Sequence, residues 1–355
     1  MKKIFFYINI LGNGGAERVM VNLAKFFSEN GYDVTLITSF RVPVEYPLAP
    51  TVRRLSLEED EIKQSRLARN LSRIQKLRQL CKKEKPDLLV AFMAEPNFRA
   101  ILAAMGLPVK TLVSVRNDPE REYAGKLGHL VGKYLLPFAD GCVFQTQDAQ
   151  AWFPEKLQKK STIIYNAVKE EFYQIQRTPH PEEIVTCGRL EEQKNHALLL
   201  DAFQMVLKNH PKAVLKIYGE GSLRESLQQK INAMGLNESA FLMGATAHVD
   251  QALQTANVFV LSSDYEGMPN ALMEAMAAGV PCVSTDCPCG GPRELFGEDA
   301  EEKLVPCGNA AQMAAAIENV LASSAQGKVE RLHAEAFRPE KVNAAWENYM
   351  LKLLE

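Results

Sequence analysis

Short unbroken apolar runs alternate with longer stretches whose apolar residues recur every three or four positions. Residues 4–10, 34–38, 88–92, 111–115 and 141–145 read as buried strands in the first half. Between the first two, Val19, Met20, Leu23, Phe26 and Phe27 share one helical face, and Gly31 marks that helix's end. The second half repeats the rhythm, with strands predicted at 184–187, 214–218, 240–243, 258–261 and 281–285. After Asn195, a predicted N-cap, Leu198, Leu199, Ala202, Phe203, Val206 and Leu207 form another buried face. Apolar runs separated by amphipathic helices predict α/β architecture, with parallel sheets covered on both faces.

Two doubly wound domains fit a chain of 355 residues. The boundary is expected at 165–180, where Thr178-Pro179-His180-Pro181 suits a linker or edge loop. The expected domains are 1–168 and 169–338. A closing helix, 339–355, bears Val342, Trp346, Tyr349 and Leu353 on one side. Ligands of paired doubly wound sheets are expected in a cleft at the strands' carboxyl ends.

Lys2 and Lys3 before an apolar run resemble a secretory signal. Asn9 interrupts that run, however, and a helix pattern follows the glycines at once, so a first strand is the better reading. No charge-free run approaches the roughly 18 residues that span a bilayer. Seven cysteines, most in apolar surroundings, suit reduced thiols of a cytoplasmic protein rather than a disulfide framework. Cys282, Cys287 and Cys289 lack the second ligand pair that a zinc site needs.

Charge alters this picture only when it is divided. The net formal charge of −2 hides a first half (1–166) at +8 and a second half at −10. Near-neutrality overall excludes a general nucleic-acid binder. The basic excess concentrates in 63–85, with nine Lys or Arg and one acid, Glu84. There Leu67, Leu71, Ile74 and Leu77 are expected on one face, and Arg66, Arg69, Arg73 and Lys76 on the other. Such a row, unaccompanied by acids, predicts contact with an anionic membrane or a lipid-linked pyrophosphate.

Two clusters carry candidate chemistry. In the stretch 264–276, Glu266 lies in a loop at a helix mouth and Glu274 more than a turn inside. Both can accept hydrogen bonds from ligand hydroxyls, and the amides of Asn270, Ala271 and Leu272 suit an anion. In 188–195, Arg189 follows a strand and Lys194 precedes a helix, a pair able to clamp a diphosphate. The loop Gly12-Asn13-Gly14-Gly15-Ala16-Glu17 could also approach an anion. It is no dinucleotide fingerprint, because Glu17 stands where the last glycine belongs and Thr38-Ser39 where an acid belongs.

These motifs, in this order, resemble the family 4 glycosyltransferases, retaining enzymes of the two-domain GT-B fold. The matching residues are Gly188-Arg189-Leu190 with Lys194, Gly219-Glu220-Gly221, the pair Glu266 and Glu274, and 286–294. Gly14-Gly15-Ala16-Glu17-Arg18 resembles the family's N-terminal loop and Tyr165-Asn166-Ala167-Val168 its interdomain crossover. The resemblance implies that Arg189 and Lys194 stabilise the departing diphosphate and that Glu266 contacts the transferred sugar. It implies that Glu274 binds ribose, with Met268, Asn270, Ala271 and Leu272 holding sugar and phosphate. Gly219, Gly221 and Gly244 would surround the nucleoside, and Gly14 and Gly15 would approach diphosphate or acceptor. Many members carry a histidine near the sugar. Here Arg116, Asn117 and Asp118 occupy the comparable stretch and become acceptor-side candidates, while His129 suits a helix surface.

The resemblance implies no cofactor beyond a nucleotide-sugar co-substrate, with UDP the most frequent nucleotide. It implies a lipid-linked or surface-polysaccharide acceptor at the inner face of the cell membrane. No Asp-x-Asp metal motif is present, Asp264-x-Glu266 being a near miss, so transfer is expected to be metal-independent. A nucleotide-sugar 2-epimerase would need an acid/base set that the sequence lacks. A non-catalytic scaffold would not need both charged pairs.

Overall fold

The computed structural model describes residues 1–12, 14–60, 65–323 and 327–355. Asn13 of the glycine-rich loop and Lys63 of the basic segment therefore lie outside the described residues. Two units emerge, Met1–Asn166 with Val342–Glu355, and Ala167–Lys341.

The first unit is built on a seven-stranded parallel sheet ordered β3-β2-β1-β4-β5-β6-β7. Its strands are β1 (Lys3–Ile8), β2 (Asp33–Thr38), β3 (Arg53–Ser56), β4 (Leu88–Phe92), β5 (Lys110–Ser114), β6 (Gly141–Phe144) and β7 (Ser161–Ile163). β1 and β4 are buried on both faces, which is why they read as unbroken apolar runs. The helix Gly15–Glu29 buries Val19, Met20, Leu23 and Phe27. Gly31, at φ +86°, then turns the chain into β2. Residues Val342–Glu355 complete this unit, where Trp346 is fully buried and stacks on Phe92 at 5.6 Å.

The second unit carries a six-stranded parallel sheet ordered β10-β9-β8-β11-β12-β13. Its strands are β8 (Glu183–Cys187), β9 (Val214–Tyr218), β10 (Ala240–Gly244), β11 (Val258–Leu261), β12 (Cys282–Thr285) and β13 (Leu304–Val305). Leu199, Phe203 and Val206 of the helix His196–Val206 join Leu215, Ile217 and Ile317 in the core beneath it. The stretch 178–181 is pinned to this unit, the amides of Thr178 and His180 bonding the carbonyls of Gln254 and Thr255.

All ten sequence-predicted strands are present, and three edge strands, β3, β7 and β13, are added. The basic helix needs correction. In Arg66–Glu84, Arg73 is buried at 1% exposure, donating two bonds to Glu58 at 2.7 and 3.0 Å. Its guanidinium also lies over Phe40. Lys76 approaches the same carboxylate at 3.5 Å, and Arg66 pairs with Glu95 at 3.0 Å. The expected row of cations without acids does not exist. Leu67 and Leu71, expected to share a face with Leu77, are exposed while Leu77 is buried, and the buried residues of the helix are Arg73, Leu77 and Cys81. Glu58 and Glu95 lie outside the helix, so its own periodicity could not show that Arg73 turns inward to one and that Arg66, still exposed, pairs with the other. No helix among the described residues is long and apolar enough to cross a membrane.

Candidate active site

Three loops at the carboxyl ends of β8, β11 and β12 interlock in the second unit. After β8 the chain runs through Gly188 and Arg189 into a 3₁₀ turn, Glu192–Lys194. Asn195 follows at φ +42°, and its side chain caps the next helix by accepting from the Leu198 amide at 3.1 Å. That side chain also donates to Asp264 at 2.8 Å, tying the loop after β8 to the loop after β11. The Asp264 amide bonds the Gln193 carbonyl, and the Ser262 hydroxyl bonds that of Lys194. The third loop joins reciprocally. The Glu266 amide donates to the Pro288 carbonyl at 2.8 Å, and the Cys289 amide returns a bond to the Glu266 carbonyl at 3.1 Å.

This framework holds Glu266 buried at 5% exposure. Lys194 Nζ donates to its Oε1 at 2.5 Å, as does the Ser263 hydroxyl at 2.6 Å. Gln193 reaches Oε2 at 3.4 Å and also bonds the Tyr265 carbonyl. Arg189 stays exposed, bonded to Gln193 at 3.3 Å. An open depression of about 450 Å³ lies beside Arg189, Gln193, Ser222 and Tyr265.

The helix Asn270–Ala278 begins directly after this loop, with Pro269 preceding it. Its first backbone bond is made by the Met273 amide, so Asn270, Ala271 and Leu272 present first-turn amides to the loop side. Met268 is buried just before this helix. Glu274 is buried one turn in, and its charge adds to burial in pushing the Cys187 thiol up, which places it toward the end of β8. Gly219 and Gly221 serve close approach of backbones. A Cβ on Gly219 would stand 1.8 Å from the Gly188 carbonyl oxygen, and one on Gly221 2.4 Å from that of Leu190. Gly244 accepts the Gly219 amide at 2.9 Å.

Sequence reasoning missed Ser263, Gln193 and His196 as members of this assembly. His196 is buried beside Lys194, and desolvation pushes its imidazole down to about 4, keeping it neutral. Lys194 adds to that shift, and the nearby carbonyls of Arg189 and Gly188 oppose it. No metal-holding cluster of His, Cys, Asp or Glu occurs among the described residues.

In the first unit, Gly14 is the N-cap of the helix Gly15–Glu29, and the Glu17 side chain folds over it. Arg116, at the end of β5, is buried, bonded to Asn166 and stacked over Phe92 at 4.8 Å. Burial lowers its guanidinium to about 9. Glu122 accepts the amides of Arg116 and Asn117 at 3.1 and 3.0 Å, while its own burial raises its carboxyl to about 7. Asp118 caps the short helix Pro119–Glu122 and is buried, so Asn117 is the most accessible of the three candidates.

The model "Glycosyl transferases group 1" matches residues 168–338, and "Glycosyltransferase Family 4" matches 13–172. The chain belongs to the family 4-type GT-B glycosyltransferases. A similar glycosyltransferase is N-acetylgalactosamine-N,N'-diacetylbacillosaminyl-diphospho-undecaprenol 4-alpha-N-acetylgalactosaminyltransferase of Campylobacter jejuni. It is 28% identical, over 99% of this chain and all of that one. An uncharacterised glycosyltransferase of Methanocaldococcus jannaschii is 30% identical over 64% of this chain and 62% of its own length. The fold is shared with Anabaena HepE, solved in complex with UDP-glucose, at a TM-score of 0.80 and 16% identity. That likeness covers 99% of this chain and all of the other. Within this family frame, the second unit carries the group 1 match and the interlocked Lys194–Glu266 site.

Proposed function

We propose that this glycosyltransferase moves a hexose or N-acetylhexosamine from a UDP-sugar to a lipid-linked or surface-polysaccharide acceptor, with retention of configuration. The observation that carries the reading is the buried Lys194–Glu266 pair at 2.5 Å, with Arg189 exposed nearby and a helix mouth adjoining. Lys194 and Arg189 neutralise charge as it builds on the departing diphosphate. Glu266, fixed by Ser263 and Gln193, accepts hydrogen bonds from the sugar. Glu274 holds ribose, and the first-turn amides at Asn270–Leu272 receive phosphate or sugar oxygens.

Because two cations already serve the diphosphate, transfer proceeds without a metal. The Campylobacter relative's name specifies an undecaprenol diphosphate glycan acceptor, and the HepE complex contains UDP-glucose. Both support this donor and acceptor class. Such an acceptor places the protein peripherally on the cytoplasmic face of the membrane.

A screen of donor hydrolysis and transfer across UDP-, GDP- and ADP-sugars tests this reading. Turnover with one UDP-sugar, unchanged by EDTA and lost in Lys194→Ala and Glu266→Ala, is expected. Wild-type turnover in either variant overturns the roles assigned to these residues.

A further inference from the structure

One segment of the first unit turns its apolar side chains outward. The helix Gly125–Leu130 continues through a π-helical turn, Val131–Leu135, and a 3₁₀ turn, Leu136–Phe138. Its inner side is spent on packing. Gly132, Leu136 and Pro137 are buried, and a Cβ on Gly132 would stand 2.7 Å from the Trp152 ring. Its outer side exposes Leu127 (75%), Leu130 (52%), Tyr134 (59%) and Phe138 (63%). Single exposed apolar residues are ordinary, but four at successive turns of one segment form a continuous ridge.

The segment itself carries charge of one sign, with the acids Glu120 and Asp140 at its two ends. Residues 125–138 contain no acid and carry Lys126 and Lys133. Lys133 lies over the Tyr134 ring, and Lys156 over that of Phe138, each at 5.3 Å. Glu120, near His129 at 3.4 Å, is engaged by the Trp152 indole N–H at 2.6 Å. The helix Ala94–Ala104 packs against both the later turns of this segment and the helix Arg66–Glu84. That neighbour exposes Leu67 and Leu71 beside Arg66 in the same helical layer.

We propose that the ridge Leu127, Leu130, Tyr134 and Phe138 is the surface on which this unit docks to an anionic phospholipid bilayer, with Lys126, Lys133 and Lys156 at headgroup level. This deepens, and rests on, the reading of a peripheral enzyme with a lipid-linked acceptor. A narrow apolar ridge flanked by long cations is the form that partitions into an interface, the stems lying on apolar surface and the ammonium groups reaching phosphate. Lysine is depleted at the cores of protein–protein interfaces, which argues against a second copy as the occupant.

Cosedimentation of the full chain with phosphatidylcholine vesicles, with and without about one-third phosphatidylglycerol, tests the proposal. Binding to the anionic vesicles and little to the neutral ones is expected. Each lysine near the surface contributes roughly fivefold, so Lys126→Gln with Lys133→Gln lowers partitioning about 25-fold. Leu127→Gln with Leu130→Gln lowers it at least about tenfold. Both double variants should keep wild-type melting temperature and donor hydrolysis, because these side chains face solvent.

Wild-type partitioning of the leucine variant, or no binding by the wild type, overturns the assignment. Self-association in sedimentation velocity that the leucine variant abolishes, without vesicle binding, identifies a second copy as occupant and also overturns it. If no sugar nucleotide is turned over while vesicle binding follows the stated pattern, the catalytic reading fails and the docking surface stands.

Discussion

Lys194 is already engaged within the protein, its ammonium 2.5 Å from Glu266 Oε1. A diphosphate bound by Lys194 must share that cation with a carboxylate. A phosphate oxygen bonded to the same ammonium would sit about 2.8 Å from it on another side, and hence roughly 5 Å from Glu266. At an effective dielectric near 20, the repulsion between carboxylate and phosphate is then about 3 kcal/mol per unit charge, a ceiling that screening lowers toward about 1. Glu266→Gln removes this repulsion and keeps the shape and the oxygen that accepts from Ser263, giving up only the 3.4 Å bond from Gln193 at the other position. Binding of the nucleoside diphosphate selected by the donor screen should therefore tighten between about fivefold and about 150-fold. If Glu266 faces the transferred sugar as proposed, transfer should fall at least about 100-fold, because that carboxylate is gone. Titration calorimetry gives the affinity and a coupled transfer assay the rate. Unchanged or weaker nucleotide binding in Glu266→Gln would refute Lys194 as the diphosphate ligand.

Three further outcomes follow from packing and protonation. Arg73→Met leaves Glu58 buried without its main partner and should cost about 3–5 kcal/mol in urea unfolding, whereas a solvent-facing cation would cost under about 0.5. Gly219→Ala drives a Cβ to 1.8 Å from a carbonyl oxygen and should cost at least about 2 kcal/mol, read from the same unfolding curves. His196 has a folded value lowered to about 4 from 6.5, so as pH falls the unfolded chain takes the proton first. Stability is fully present above about pH 6.5 and is lost between there and pH 4, about 2 kcal/mol of it between pH 7.5 and pH 5. Chemical denaturation at those two pH values should show that loss in the wild type and lose it in His196→Phe.

The central strands were legible because both faces are buried, which leaves an unbroken apolar signature at β1, β4, β8 and β11. The added strands lie at sheet edges. β3 is Arg-Arg-Leu-Ser, part-exposed, and β13 is two residues long, so neither carries enough apolar pattern to read. Arg189, Lys194, Glu266 and Glu274 could be named because their spacing sits on strand ends and helix starts. Ser263, Gln193 and His196 could not, since only folding carries Ser263 and Gln193 to Glu266 and buries His196 beside Lys194. The helix Arg66–Glu84 misled for a related reason. Its periodicity fits two rotations, and Glu58 decides between them by drawing Arg73 into the interior.

Lys194 and Glu266 are 72 residues apart in sequence, and the loop that clamps Glu266 comes later still, at Pro288 and Cys289. No fragment or half-formed state of the second unit can own this site, because its parts meet only when β8, β11 and β12 are in register. A nucleotide that requires all three loops binds finished molecules alone. If a nucleotide binds there as proposed, it would stabilise the folded chain by mass action, by about 2.7 kcal/mol at a hundredfold excess over the dissociation constant, and so raise the melting temperature. In the cell, donor supply would then help set how much of the enzyme survives proteolysis, so that abundance follows substrate without any dedicated regulator.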